Sequence, residues 1–204
     1  MPPQIISFLL DFLLGFVCLV LTRQSIRLGR PFFAFGFLVI SLTAFLGSLI
    51  LGGYELGTVW ELRYQRLILA SKFAGMAALG IGAWQVILGK PIPRAWLMAA
   101  IWTVLGSYVY IEIVPDEMQG WVGIIAGAIL LVALGVSLFR SIQQKSPITK
   151  FAGVALSSFV IMAIGGGQLL ADILPAWLKP VDVSHVILMV AYAATGRSYF
   201  GKSR

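Results

Sequence analysis

Long apolar runs separated by short polar connections organise this chain. Seven such runs can be counted, at approximately 4–22, 32–53, 67–88, 95–114, 121–139, 151–173 and 183–198. Each is close to the roughly 20 residues that an α-helix needs to cross a bilayer. Apolar runs of that length are helices because, in lipid, each backbone polar group has to be satisfied within its own segment. The pattern therefore predicts an all-α polytopic membrane protein, with residues 1–204 forming a single seven-helix transmembrane domain.

Composition strengthens that expectation. Hydrophobic residues make up 59% of the chain and charged residues 11%, against roughly 25% charged in an ordinary soluble domain. The net charge of +7 does not indicate nucleic acid, because the basic residues occupy short connections between apolar runs. Eleven fall on one side: Arg23, Arg27, Arg30, Lys90, Arg94, Arg140, Lys145, Lys150, Arg197, Lys202 and Arg204. Only Arg63, Arg66 and Lys179 fall on the other. The excess predicts an outside N-terminus, a cytoplasmic C-terminus and multi-pass residence in a bacterial-type inner membrane. The first run has no basic leader or small-residue cleavage site, so it is expected to remain as a helix. The single cysteine, Cys18, permits no intrachain disulfide.

Acids are distributed the other way. Glu55, Glu61, Glu112, Asp116, Glu117, Asp172 and Asp182 fall at outer ends or outer loops, and Asp11 alone lies well inside a run. Depletion of acids from cytoplasmic loops accounts for this; an outward-opening polar vestibule is the sharper alternative. Asp11 and Lys72 lie at matched depth, roughly 8–11 Å from the outer side at 1.5 Å per residue. An ion pair between them would offset the cost of an intramembrane charge. Alternatively, Lys72 snorkels outward while Asp11 is neutral or reaches nearby water. Ser48, Ser71, Ser107, Tyr108, Gln168 and His185 lie at comparable outer depth, although a serine alone is more often a packing residue bonded to its own helix. Gly75, Gly80 and Gly82 read as packing positions. Gly165, Gly166 and Gly167 could mark a break below Gln168 and Asp172, or close packing. Two basic connections, 23–31 and 140–147, suggest a 3+1+3 arrangement of helices.

The stretch Asp182-Val-Ser-His185 carries the only histidine, with Asp182 three residues away on the same helical face. Histidine is the side chain that changes charge near neutral pH. Catalytic zinc ordinarily takes three protein ligands and an open position, and here only Asp182 and His185 present themselves. A serine triad would need a nucleophile elbow that is absent. Retinal attachment would need a lysine in the last run, and no phosphate-binding glycine loop or CxxC occurs.

Three stretches carry a resemblance: Asp11-Phe-Leu-Leu-Gly15, Ala44-Phe-Leu-Gly-Ser48 and Asp182 through Tyr192. They resemble a family of uncharacterised bacterial seven-helix membrane proteins. More distantly, the layout is similar to the membrane hydrolases that include alkaline ceramidases and adiponectin receptors. That resemblance implies a zinc site built from a serine and histidine of the second helix and two histidines of the seventh. Here Gly52 and Gly53 stand where the second-helix histidine belongs, and residue 189 is Met. The resemblance thus implies a member lacking most of the metal ligands.

Three functional readings follow. The first is a transporter, channel or small-ligand- or lipid-binding protein with an outward-facing polar cavity around Asp11, Lys72, Ser48, Gln168, Asp172, Asp182 and His185. The second is a membrane-embedded, metal-dependent lipid hydrolase using Asp182 and His185. The third is a structural subunit of a membrane complex. The bilayer is the one partner that the composition implies; the cofactor and any homo-oligomer are left open.

Overall fold

The computed structural model describes residues 3–51, 57–89, 116–146, 149–164 and 178–200, with a few isolated positions between them. Among the described residues the fold is entirely helical. The elements are α1 (Pro3–Arg27), α2 (Pro31–Leu51), α3 (Thr58–Ala70), a π-helical turn (Ser71–Gly75), α4 (Met76–Leu88), α5 (Asp116–Gln143), α6 (Thr149–Ala163) and α7 (Pro180–Phe200). Among the described residues, four stretches are long and apolar enough to cross a membrane: Ile5–Arg27, Pro31–Ile50, Thr58–Leu88 and Ile124–Gln143. Thr149–Ala163 is a shorter apolar helix. The expected fourth run, 95–114, lies outside the described residues, apart from two positions.

Boundaries shift where local chemistry extends a helix past its apolar run. The third run was expected from residue 67, yet the helix begins at Thr58, so Arg63 and Arg66 are helical rather than loop residues. The last begins at Pro180 instead of residue 183. Proline suits that first helical position, where its missing N–H deprives the helix of nothing. The α1–α2 turn is closed by Gly29 at φ 63°. There the Arg30 N–H donates to the Ser25 carbonyl and the Gly29 N–H to that of Ile26. This Schellman arrangement satisfies the last carbonyls of α1.

Neighbours in sequence pack together, α1 on α2, α2 on α3 and α4, α4 on α5, α5 on α6 and α6 on α7, and α7 then returns to α1. The described helices thus close into a ring. Contacts fix the directions. Ser7 meets Asp182 and Asp11 meets His185, while the side chain of Leu21 packs on Gly196, so α1 and α7 run parallel. Arg140 reaches the Ile87 carbonyl and Gly80 abuts Ile129, so α4 and α5 are parallel as well. Arg23, Arg27, Arg30, Arg140, Lys145, Lys150 and Arg197 consequently gather at one end of the ring.

The core is aromatic and aliphatic, with Phe33, Phe37, Leu79, Leu130 and Leu134 fully buried. Small residues permit close approach, as expected for Gly75, Gly80 and Gly82: a Cβ on Gly82 would stand 2.9 Å from the ring of Phe33, and one on Gly80 would stand 2.7 Å from Ile129. Outward faces are apolar too, with Phe16, Ile124 and Phe139 more than half exposed. In water such surface is a liability; against lipid it is the ordinary surface.

Candidate functional site

A cavity of about 530 Å³ lies inside the ring, with walls contributed by every described helix. Most of its lining is apolar, including Leu14, Ile40, Leu131, Phe159 and Leu188. Its polar groups come from Asp11 on α1, Thr43 on α2, Tyr64 on α3, Ser71 and Lys72 in the π turn, and Ser184 and His185 on α7. Lys72 and Val181 are exposed and mark its mouth.

Asp11 is the central group. It sits about 12 Å along α1 from Pro3, at 1.5 Å per residue, and is 2% exposed. His185 Nδ1 lies 3.0 Å from its Oδ1, without the geometry of an aligned hydrogen bond. Oδ2 of Asp11 has no hydrogen-bond partner among the described residues. Buried polar atoms are nearly always bonded, and leaving one unbonded costs about 1–3 kcal/mol, more for a charge. Gly47 makes room for this arrangement: a Cβ there would stand 2.7 Å from Asp11 Oδ2 and 2.9 Å from the Tyr64 hydroxyl. The side chain beside Asp11 is therefore His185, while Lys72 shares the cavity wall at its mouth.

Asp182 is spent differently. It is fully buried; its Oδ1 accepts from the Ser7 hydroxyl at 2.7 Å and its Oδ2 from the Lys179 N–H at 2.9 Å. At the third position of α7 it reaches back to the residue before the helix, one half of a capping box, with its charge at the positive end of the helix dipole. Ser7 ties that cap to α1. Asp182 thus does not orient His185 but fastens the start of α7. Ser48 is buried and donates to the Phe45 carbonyl of its own helix at 2.7 Å, away from the cavity wall. Gln168 and Asp172 lie outside the described residues.

Among the described residues no three of His, Cys, Asp and Glu gather closely enough to hold a metal. Asp182, the candidate metal ligand beside His185, has both oxygens engaged by Ser7 and by the Lys179 N–H. A family model described as a family of unknown function, DUF6962, matches residues 6–199. The chain belongs to the DUF6962 family. No curated protein and no solved structure matches it. The DUF6962 match runs from the first turn of α1 to the last turn of α7, so Asp11, His185 and nearly all of the described ring fall inside it.

Tyr64, Thr43 and Ser184 were not anticipated as wall residues. Tyr64, Ile68, Ser71 and Lys72 follow the i, i+4, i+7, i+8 spacing of one helical face, a signal hidden by starting the third run at residue 67. The π turn had no such signal. Its extra residue widens the helix where the Met76 N–H bonds the Ser71 carbonyl five residues back. Turns of this kind are frequent at functional sites, and here it places Ser71, Lys72 and Met76 on the cavity.

Proposed function

We propose that this chain is a multi-pass integral membrane protein that binds a small amphipathic ligand in the cavity enclosed by its helices, with the ligand's hydrogen-bond donor directed at Asp11. The observation that carries the reading is the buried, unpartnered Oδ2 of Asp11, facing an otherwise apolar space. Pockets for small molecules are of this kind: largely apolar walls, with a few convergent polar groups that fix orientation. An alcohol or ammonium head would supply the missing donor, and the apolar lining would accept the tail. A carboxylate head would be repelled by Asp11.

The seven-crossing topology belongs to the same proposal. The parallel course of α4 and α5 supports it, since the chain leaves α4 at the basic end and enters α5 at the other. The clustered basic end supports a cytoplasmic assignment, which turns the mouth beside Lys72 outward. Transport of the bound ligand would follow if the π turn and α7 shift to open the opposite side.

The test is thermal unfolding of wild-type and Asp11→Asn protein in lipid nanodiscs with dodecylamine, dodecanol or dodecanoate. A ligand that binds the native state raises its unfolding temperature. The amine and alcohol should stabilise wild type and not the variant, with dodecanoate inert. Equal shifts in both proteins, or a preference for dodecanoate, would overturn the assignment. Stoichiometric zinc in gently purified protein would instead favour the hydrolase.

A further inference from the structure

A second groove, of about 800 Å³, lies between the parallel helices α1 and α7 at the basic end. Its floor is apolar, formed by Val20, Leu21, Ala193 and Gly196, with Phe16 toward one end and Gln24, Arg27 and Arg197 toward the other. From Phe16 to Arg27 the groove runs roughly 16 Å along α1, close to half of the roughly 30 Å hydrocarbon core of a bilayer.

The two arginines have no evident structural task. The last carbonyls of α1 are satisfied by the Gly29 turn, and Arg30 serves the end of α7, donating to the Tyr199 carbonyl and lying over the ring of Phe200. Arg27 and Arg197 are both exposed, and among the described residues neither pairs with a carboxylate. The nearby helix ends offset only about half a charge each, so the groove keeps a net positive rim.

We propose that this groove binds an anionic glycerophospholipid from the surrounding leaflet, with its phosphate on Arg27 and Arg197 and an acyl chain along the floor. The proposal shares the membrane reading above but is independent of the inner cavity. A free phosphate would leave the apolar floor uncovered. A second copy docking by a two-fold axis would set arginine against arginine, which like-charge repulsion opposes. An anionic lipid satisfies both the rim and the floor.

The test is native mass spectrometry of the full chain with added phosphatidylglycerol, phosphatidylcholine or inorganic phosphate. Wild type should retain phosphatidylglycerol at least tenfold better than phosphatidylcholine. The Arg27→Gln/Arg197→Gln pair should lose about fivefold of that retention per arginine. An Arg23→Gln/Lys150→Gln pair removes equal charge from the same end outside the groove and should retain the lipid. Ala193→Leu fills the floor with both arginines intact and should weaken both lipids alike. Equal retention of the two lipids by wild type, equal losses in the two charge pairs, displacement of lipid by phosphate alone, or a dimer in place of a lipid adduct would each overturn the proposal.

Discussion

Two buried aspartates on the α1–α7 seam have opposite fates. Asp182 has a bonded partner for each oxygen, one from Ser7 across the seam and one from the backbone of Lys179. Asp11, about one helical turn from Ser7 on α1, has His185 beside one oxygen and, among the described residues, nothing bonded to the other. Both are almost completely removed from solvent. Burial alone therefore does not distinguish the two aspartates; completeness of bonding does. A satisfied carboxylate is consistent with a fastening. An unsatisfied one facing a cavity holds a cost that a ligand can relieve.

The largest expected effect tests the structural half. Asp182→Ala removes the cap and the buried bond from Ser7, and should cost about 2 kcal/mol of stability, read from unfolding in detergent. If the loss is under 1 kcal/mol, the fastening role fails. Asp11→Asn should behave in the opposite sense. Its stability should stay within about 1 kcal/mol of wild type, since the Oδ2 that is replaced makes no hydrogen bond among the described residues, while affinity for a donor-headed amphiphile falls tenfold or more. A strongly destabilised Asp11→Asn protein would make the two aspartates equivalent and erase the contrast.

Gly47→Ala sharpens the comparison without replacing either aspartate. The new methyl would displace Asp11 Oδ2 and the Tyr64 hydroxyl, so ligand affinity should drop about tenfold with a stability cost of about 1 kcal/mol. Unchanged affinity would place the ligand elsewhere in the cavity. The smallest effect serves as a control. Lys145 adopts φ 48° at the end of α5, a left-handed conformation that costs a side chain about 1 kcal/mol more than glycine. Lys145→Gly should add up to that amount of stability and leave binding unaltered. A parallel rise in affinity would show that binding merely follows overall stability.

Much of the helical plan was legible, because apolar runs of bilayer length leave the backbone few alternatives; α1 and α2 appear close to where the pattern puts them. The start of α3 was less so, since Thr58 to Arg66 is polar enough to read as a loop, and helical periodicity there becomes visible only with Ile68 and Lys72 on the same face. Asp11 and His185 were both singled out, Asp11 for its depth and His185 as the only histidine. Their pairing was not, because helix rotation and the parallel course of α1 and α7 depend on packing between residues some 170 positions apart. The Ser7 contact with Asp182 has the same character. The π turn lay beyond reach, as no residue type specifies it.

The most direct measurement of the central claim is the shift in unfolding temperature produced by dodecylamine in nanodiscs, for wild type beside Asp11→Asn. A rise in wild type that vanishes in the variant, with the unliganded stabilities alike, is the predicted result. The same rise in both proteins would contradict it, and would return Asp11 to the structural role already held by Asp182.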